Sequence, residues 1–380
     1  AMDMYISESE IFINKIDLNK SVLALEKIEF DETIFKLTAL YDTIPSDKEE
    51  SYDTIHIGLG NWDIETAQLL LNNCGFSYKD DNSTSNPDGM NFSDLEITEL
   101  NIDMSDIIYS GDTILTTINR ISLKEKSGFQ LDTLTANVIF SAYEITLSNL
   151  LIATPHSSIK DQIGISFNTL NDFDRFETDI RMNADFKNSV ISNVDLAYFI
   201  PQLKEYDITL ALTTRIYGTL GNIKARDFDA EVEGIGGVKG TLDIKGLPNI
   251  DETFLDLKLE PLYADMYALD ELLGPNTLPA NLLTLGEVNY TGRVTGFAYN
   301  LVAFGNLNTD QGGVYSDINF TYDPKVKSSS FSGTLNTTAL NVGVIAGSPE
   351  LLGKVSMEAT VNGSIAADNT AEFDVDATVN

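Results

Sequence analysis

Leu95-Glu96-Ile97-Thr98-Glu99-Leu100-Asn101-Ile102-Asp103-Met104 alternates apolar and polar side chains, with one slip at Glu99. Successive side chains of a strand point to opposite faces. A period of two therefore puts Leu95, Ile97, Leu100, Ile102 and Met104 on one face, provided Glu99 is the extra residue of a β-bulge. The pattern recurs. Leu255, Leu257 and Leu259 alternate with Asp256, Lys258 and Glu260, and Ile208-Thr209-Leu210-Ala211-Leu212 and Ile318-Asn319-Phe320-Thr321-Tyr322 repeat it. Thr, Ile, Val, Tyr and Phe are plentiful, and turn residues punctuate the runs. The sequence predicts a mainly β chain, an elongated antiparallel array with one apolar face and one wet face.

Helical signals are few. Val194–Leu203 offers an Asp195 N-cap before Pro201, Asp265–Gly274 offers an Asp cap and a Gly stop, and Asn341–Gly353 is interrupted by Gly347-Ser348-Pro349. Each follows an alternating strand and precedes a second strand that closes on a glycine. The leading strands recur at Ile180, Leu257 and Leu335 and the closing glycines at Gly218, Gly296 and Gly363, every 67 to 78 residues. This order of strand, short helix and strand reads as an internal repeat. The expected organisation is an N-terminal β region, 1–165, with an exposed loop at 79–89, followed by repeated units at about 171–245, 246–325 and a shortened 326–380. The whole is one continuous β array, in which the short helices plug or cap sheet edges.

Composition narrows the chemistry. With 380 residues, 24 Lys+Arg and 58 Asp+Glu, the formal charge is −34. That charge repels nucleic acids and anionic membrane surfaces. Apolar residues make up 43%, enough for a sizeable core. No secretory leader and no apolar run long enough to span a bilayer is read. Ala1-Met2-Asp3 reads as a cloning scar, and the closing strand Phe373–Asn380 has no turn after it, so a piece of a longer protein is expected.

No catalytic constellation emerges, and neither enzyme activity, cofactor nor metal is expected. The single cysteine, Cys74, forms no disulfide within the chain and reads as a small packing residue. His56 falls on the polar phase of a strand and His156 in a turn, without a nucleophile beside either. Gly-x-Ser-x-Gly, His-Glu-x-x-His and Walker patterns are absent. The loop from Asp80 to Gly89 lacks the central Gly and the closing Glu of an EF-hand. Gly234–Thr241 lacks the Gly-Lys-Ser/Thr ending of a phosphate loop and reads as a β-turn or bulge.

A long sheet with one apolar face must cover that face. Either it curls into an open groove holding an apolar ligand, or two sheets cover each other, and the residues alone leave both open.

The stretch Leu69–Asp80 with Pro87-Asp88-Gly89-Met90-Asn91-Phe92 carries a resemblance, as do Leu95-x-Ile97-x-x-Leu100-x-Ile102, Ile121–Leu131 and Leu147–Ser158. Together these resemble TamB-type proteins of the AsmA-like superfamily, in the version seen in Bacteroidetes. The resemblance is strongest over 55–160. It implies a taco-like open groove in a periplasmic protein of Gram-negative bacteria, anchored in the inner membrane. It also implies a TamA-type outer-membrane barrel partner, met through a C-terminal region not identifiable here. Two roles follow from it. One is non-enzymatic transport of phospholipid between the membranes. The other is a structural scaffold assisting outer-membrane protein assembly; apart from the resemblance, an adhesin-like array is a third possibility. On the conduit reading, acyl chains are lined by Ile208, Leu210, Leu212, Leu255, Leu257, Leu259, Ile318, Phe320 and Tyr322, all of which serve equally as ordinary sheet core.

Overall fold

A computed structural model describes residues 2–39, 60–80, 89–206, 208–366 and 371–379. Strands hold 67% of the residues and helices 11%, so helices are too scarce to form a second layer. The chain divides into two compact units, 1–209 and 210–380. The strand that follows residue 166 is laddered to its predecessor.

The first unit contains β1 (Met2–Tyr5), β2 (Glu8–Asp17), β3 (Val22–Asp31), β4 (Ile34–Ala39), β5 (Asp63–Asp80), β6 (Asp94–Ser110), β7 (Thr113–Glu125), β8 (Gln130–Phe140), β9 (Glu144–Ala153), β10 (Ser158–Ser166) and β11 (Arg181–Ser192). From β5 to β11 each strand pairs antiparallel with the next. The other edge of β5 departs from the expected antiparallel order. Its first half pairs in parallel with β3 and its second half in parallel with β4. A parallel pair needs a crossover of a dozen residues or more, and the long segment between β4 and β5 provides one. β2 and β1 then add antiparallel to β3 and β4.

The alternation in β6 produces the expected face and slip. Glu99 has φ +49°, and the β6–β7 register shifts between Thr98 and Asn101. Leu71, Cys74 and Leu100 form the buried centre, surrounded by Phe30, Phe35, Phe76, Ile102 and Leu123. Cys74 is 1% exposed and its thiol lies 3.4 Å from the Phe30 carbonyl oxygen, the place of a packing residue.

α1 (Phe176–Asp179) precedes β11 and α2 (Asn193–Leu196) follows it. The cap of α2 is Ser192, whose hydroxyl accepts from the Val194 N–H, rather than Asp195. The Asp195 carboxylate instead accepts from the hydroxyls of Thr154 (2.6 Å) and Ser157 in the β9–β10 turn. Pro201 opens a 3-10 turn, Pro201–Glu205, instead of ending a longer helix. The segment lies over strand ends as a cap: Phe199 meets Phe92 and Phe129 at ring-centre distances of 6.3 and 5.4 Å, and the Tyr198 carbonyl accepts from the Met90 N–H.

The second unit is an antiparallel meander of ten strands: β12 (Thr209–Thr219), β13 (Asn222–Val232), β14 (Gly236–Lys245), β15 (Phe254–Asp265), β16 (Glu287–Phe297), β17 (Asn300–Thr309), β18 (Gly312–Asp323), β19 (Ser328–Asn341), β20 (Lys354–Ile365) and β21 (Ala371–Val379). Among the described residues β12 and β21 do not pair, so this ladder is open. α3 (Met266–Leu273) and α4 (Ala280–Leu283) interrupt β15–β16, and α5 (Val342–Ile345) interrupts β19–β20. Helical insertions follow β11, β15 and β19, and further short helical turns precede β11 and β15. α3 is capped as expected: Asp265 accepts from the Tyr267 and Ala268 N–H groups, and Gly274 ends the helix at φ +105°. Gly234 sits in the β13–β14 turn at φ +75° and a strand follows it, as expected of a turn.

Candidate functional site: an uncharged sheet face

Directly opposed residues of an antiparallel ladder share a face, so register traces the surface of the second unit row by row. Starting from Leu257, one row reads Ile216, Ala225, Leu242, Leu257, Val294, Ala303, Ile318, Gly333, Val361 and Val375. It crosses all ten strands without a polar side chain. The next row includes Ile223, Ile244, Leu255, Leu301, Phe320 and Phe331. Followed through its bulges, this face carries no Asp, Glu, Lys or Arg on β12–β21 among the described residues. Ten strands at ~4.8 Å spacing make it about 45 Å wide, with an area on the order of 1,500 Å².

The other face takes the charge. Arg293 grips Asp256 with two hydrogen bonds, of 2.6 and 2.5 Å, which hold the Asp256 carboxyl below its ordinary pKa. Arg226 pairs with Asp243, Arg215 with Asp227, Lys239 with Asp229 and Lys258 with Glu260.

Among the described residues of the unit nothing covers the apolar face as a second sheet would. Six apolar side chains in the unit are buried, three of them alanines: Ala225, Ala230, Leu259, Val288, Ala359 and Val361. Phe320 remains 40% exposed and Val375 53%, where a sandwich core would bury both. The two-sheet alternative is therefore not the one this unit adopts.

Two mid-strand glycines adopt a backbone conformation that other residues avoid. Gly240 and Gly333 have φ of +149° and +153°, and a Cβ at either position would collide with the carbonyl of Lys258 or Asp317 on the neighbouring strand. Tyr290 supplies a polar group on this face. Its hydroxyl donates to the Phe304 carbonyl at 3.0 Å, and burial pushes the phenol pKa up.

Of the nine lining residues expected from sequence, Leu210, Leu212, Leu255, Leu257, Leu259, Ile318, Phe320 and Tyr322 all lie on this face. Ile208 lies just before β12, at the end of the first unit, and no ladder register assigns it a face; its backbone N–H donates to Asn193 Oδ1 and its carbonyl accepts from the Asn193 N–H. Sequence reading missed Ile216, Leu242, Val294 and Val361, although they carry the same alternation.

His156 is exposed in the β9–β10 turn. His56 and most of the loop at 79–89 lie outside the described residues. Among the described residues no group of three or more His, Cys, Asp or Glu is placed to hold a metal, and no helix is long and apolar enough to cross a membrane. The chain matches no protein-family model, no curated protein and no solved structure.

Proposed function

We propose that this protein holds the acyl chains of phospholipids on the uncharged face of its second unit and carries them without chemistry. The observation that supports the reading is the row through Leu257 and Ile318: ten strands, no charge, and no covering layer. Soluble proteins rarely expose contiguous apolar patches beyond a few hundred Å² unless the patch is a binding surface, and this face is several times larger. Acyl chains need a dry lining and no catalytic group. The periplasmic setting, an inner-membrane anchor and a TamA-type barrel partner rest on the sequence resemblance alone. The test is organic extraction of the purified protein followed by mass spectrometry. Phospholipid near stoichiometric amounts is expected, and a lipid-free protein that also takes up none from vesicles sinks the reading.

A scaffold for outer-membrane protein assembly is the second reading. It is favoured by β2, an open edge strand exposing Ile11 (58%), Phe12 (46%) and Ile13 (55%), the kind of edge to which a partner strand adds.

A further inference from the structure

The second unit has two rims, formed by the two ends of its strands, and their charges differ. At one rim, beside the helical insertions, Glu231, Asp265, Glu287 and Asp310 line a cleft of about 540 Å³ that includes no Lys or Arg. The opposite rim is built from the turns after β12, β14, β16 and β18. It carries Asp251, Glu252 and Asp323, the last accepting from the Lys325 N–H at 2.9 Å, and also Lys245, Lys325 and Lys327. Among the described residues no carboxylate forms an ion pair with any of these three lysines, whereas the Arg and Lys nearer the middle of the outer face are paired. The lysine rim is also aromatic: Tyr299 and Tyr322 meet at a ring-centre distance of 6.0 Å, and Phe320 faces Phe331 across β18–β19. Tyrosine, with an apolar ring and a polar tip, suits a boundary between an apolar surface and water.

An amphiphile lying on this face must leave its polar end at a rim, because the face between offers no charged partner. A phosphate is repelled by the four carboxylates of the cleft, whereas at the opposite rim three ammonium groups offset three carboxylates, and Lys325 and Lys327 stand together in one turn. We propose that the rim beside Lys325 and Lys327 is the headgroup station, taking the phosphate of a phospholipid whose chains run inward past Phe320 and Ile318. This deepens the acyl-chain reading and rests on it.

The experiment uses the full chain and phosphatidylcholine vesicles doped with pyrene-labelled phosphatidylglycerol or, separately, pyrene-labelled diacylglycerol, which has the tails without the phosphate. Lys325→Gln with Lys327→Gln is expected to lower phosphatidylglycerol uptake by about tenfold at low salt, less at high salt, with diacylglycerol uptake unchanged. A charge-matched pair on the outer face, Thr334→Glu with Thr360→Glu, is expected to leave both unchanged. Free glycerol phosphate is expected not to compete, which distinguishes a lipid headgroup from a free phosphate. The assignment is overturned if the lysine variant takes up phosphatidylglycerol normally, if both lipids fall together, if the outer-face pair loses as much, or if glycerol phosphate competes. Uptake of neither lipid by the unaltered protein overturns the acyl-chain reading itself.

Discussion

Phe331 of β19 lies directly opposite Gly363 of β20, with its ring in the space that a side chain at 363 would occupy. A Cβ there would fall against the ring and 2.9 Å from the Glu372 carbonyl oxygen on β21. The ring can rotate away, but the carbonyl is part of the next ladder. An aromatic ring packed over a strand glycine pins register across β19 and β20.

Gly363→Ala is therefore expected to destabilise the second unit by about 1–3 kcal/mol, the usual range for overpacking. Urea unfolding checks it. Phe331→Leu in the same background is expected to recover part of the loss by freeing space, and an unchanged midpoint for Gly363→Ala means that the ring and the β21 carbonyl do not constrain this position.

A charge placed on the uncharged face has no partner within its rows. Leu257→Glu and Ile318→Glu are each expected to remove most captured lipid, while Thr334→Glu on the opposite face removes none. Mass spectrometry of extracts reads this, with far-UV circular dichroism confirming retained strand content. Full lipid retention by both face variants contradicts acyl-chain binding at this surface.

How far these residues were legible follows from what each signal depends on. Alternation is local, so Leu255, Leu257, Leu259, Ile318 and Phe320 could be assigned to an apolar phase from a few residues each. Val294 was harder to see because Gly292 and Gly296 interrupt its strand, and those glycines matter only once neighbouring strands are known: Gly292 faces Gly305 across β16–β17. The pairing of β5 with both β3 and β4 depends on contacts distant in sequence, which no local pattern encodes. Ile208 has the same phase, and the bond from its backbone N–H to the amide side chain of Asn193, fifteen residues earlier, is one that no local pattern encodes. Asp195 had the composition of an N-cap, but the neighbouring Ser192 takes that role and leaves the carboxylate for Thr154 and Ser157.

Asp270 in α3 makes a pH-dependent prediction. Its carboxylate accepts backbone N–H bonds from Leu278 (2.7 Å) and Asn276 (2.9 Å), which hold its pKa below the ordinary aspartate value. A depressed folded pKa contributes stability above the unfolded value of about 3.9, and that contribution is lost as pH falls through the folded pKa. Asp270→Asn is therefore expected to lower stability near neutral pH and to flatten the acid limb of the stability profile. Thermal midpoints between pH 6 and pH 2 measure it. Parallel profiles for the two proteins rule out Asp270 as a contributor to acid sensitivity.

The edge strand β2 separates the two functional readings. Phe12 lies opposite Lys27 of β3, on the other side of β2 from Ile11, which faces Ile28. Over Ile11, Phe12 and Ile13, all exposed, this edge is apolar on both sides, between Glu10 and Lys15. An apolar run on an edge pairs with other strands, and a charge placed within it is an ordinary safeguard against it. Phe12→Lys sets a second ammonium opposite Lys27, so far-UV circular dichroism first checks that strand content is retained; lipid capture by the second unit is expected to be unchanged. If β2 accepts a partner strand, the same substitution is expected to weaken capture of an added extended peptide by about tenfold, the effect of losing a large apolar side chain from a strand-addition site. Fluorescence anisotropy with a labelled alternating Val/Thr peptide, run beside lipid extraction of the same preparation, reads both at once. Peptide binding that Phe12→Lys abolishes supports the scaffold reading, and peptide binding indifferent to this change removes its structural support.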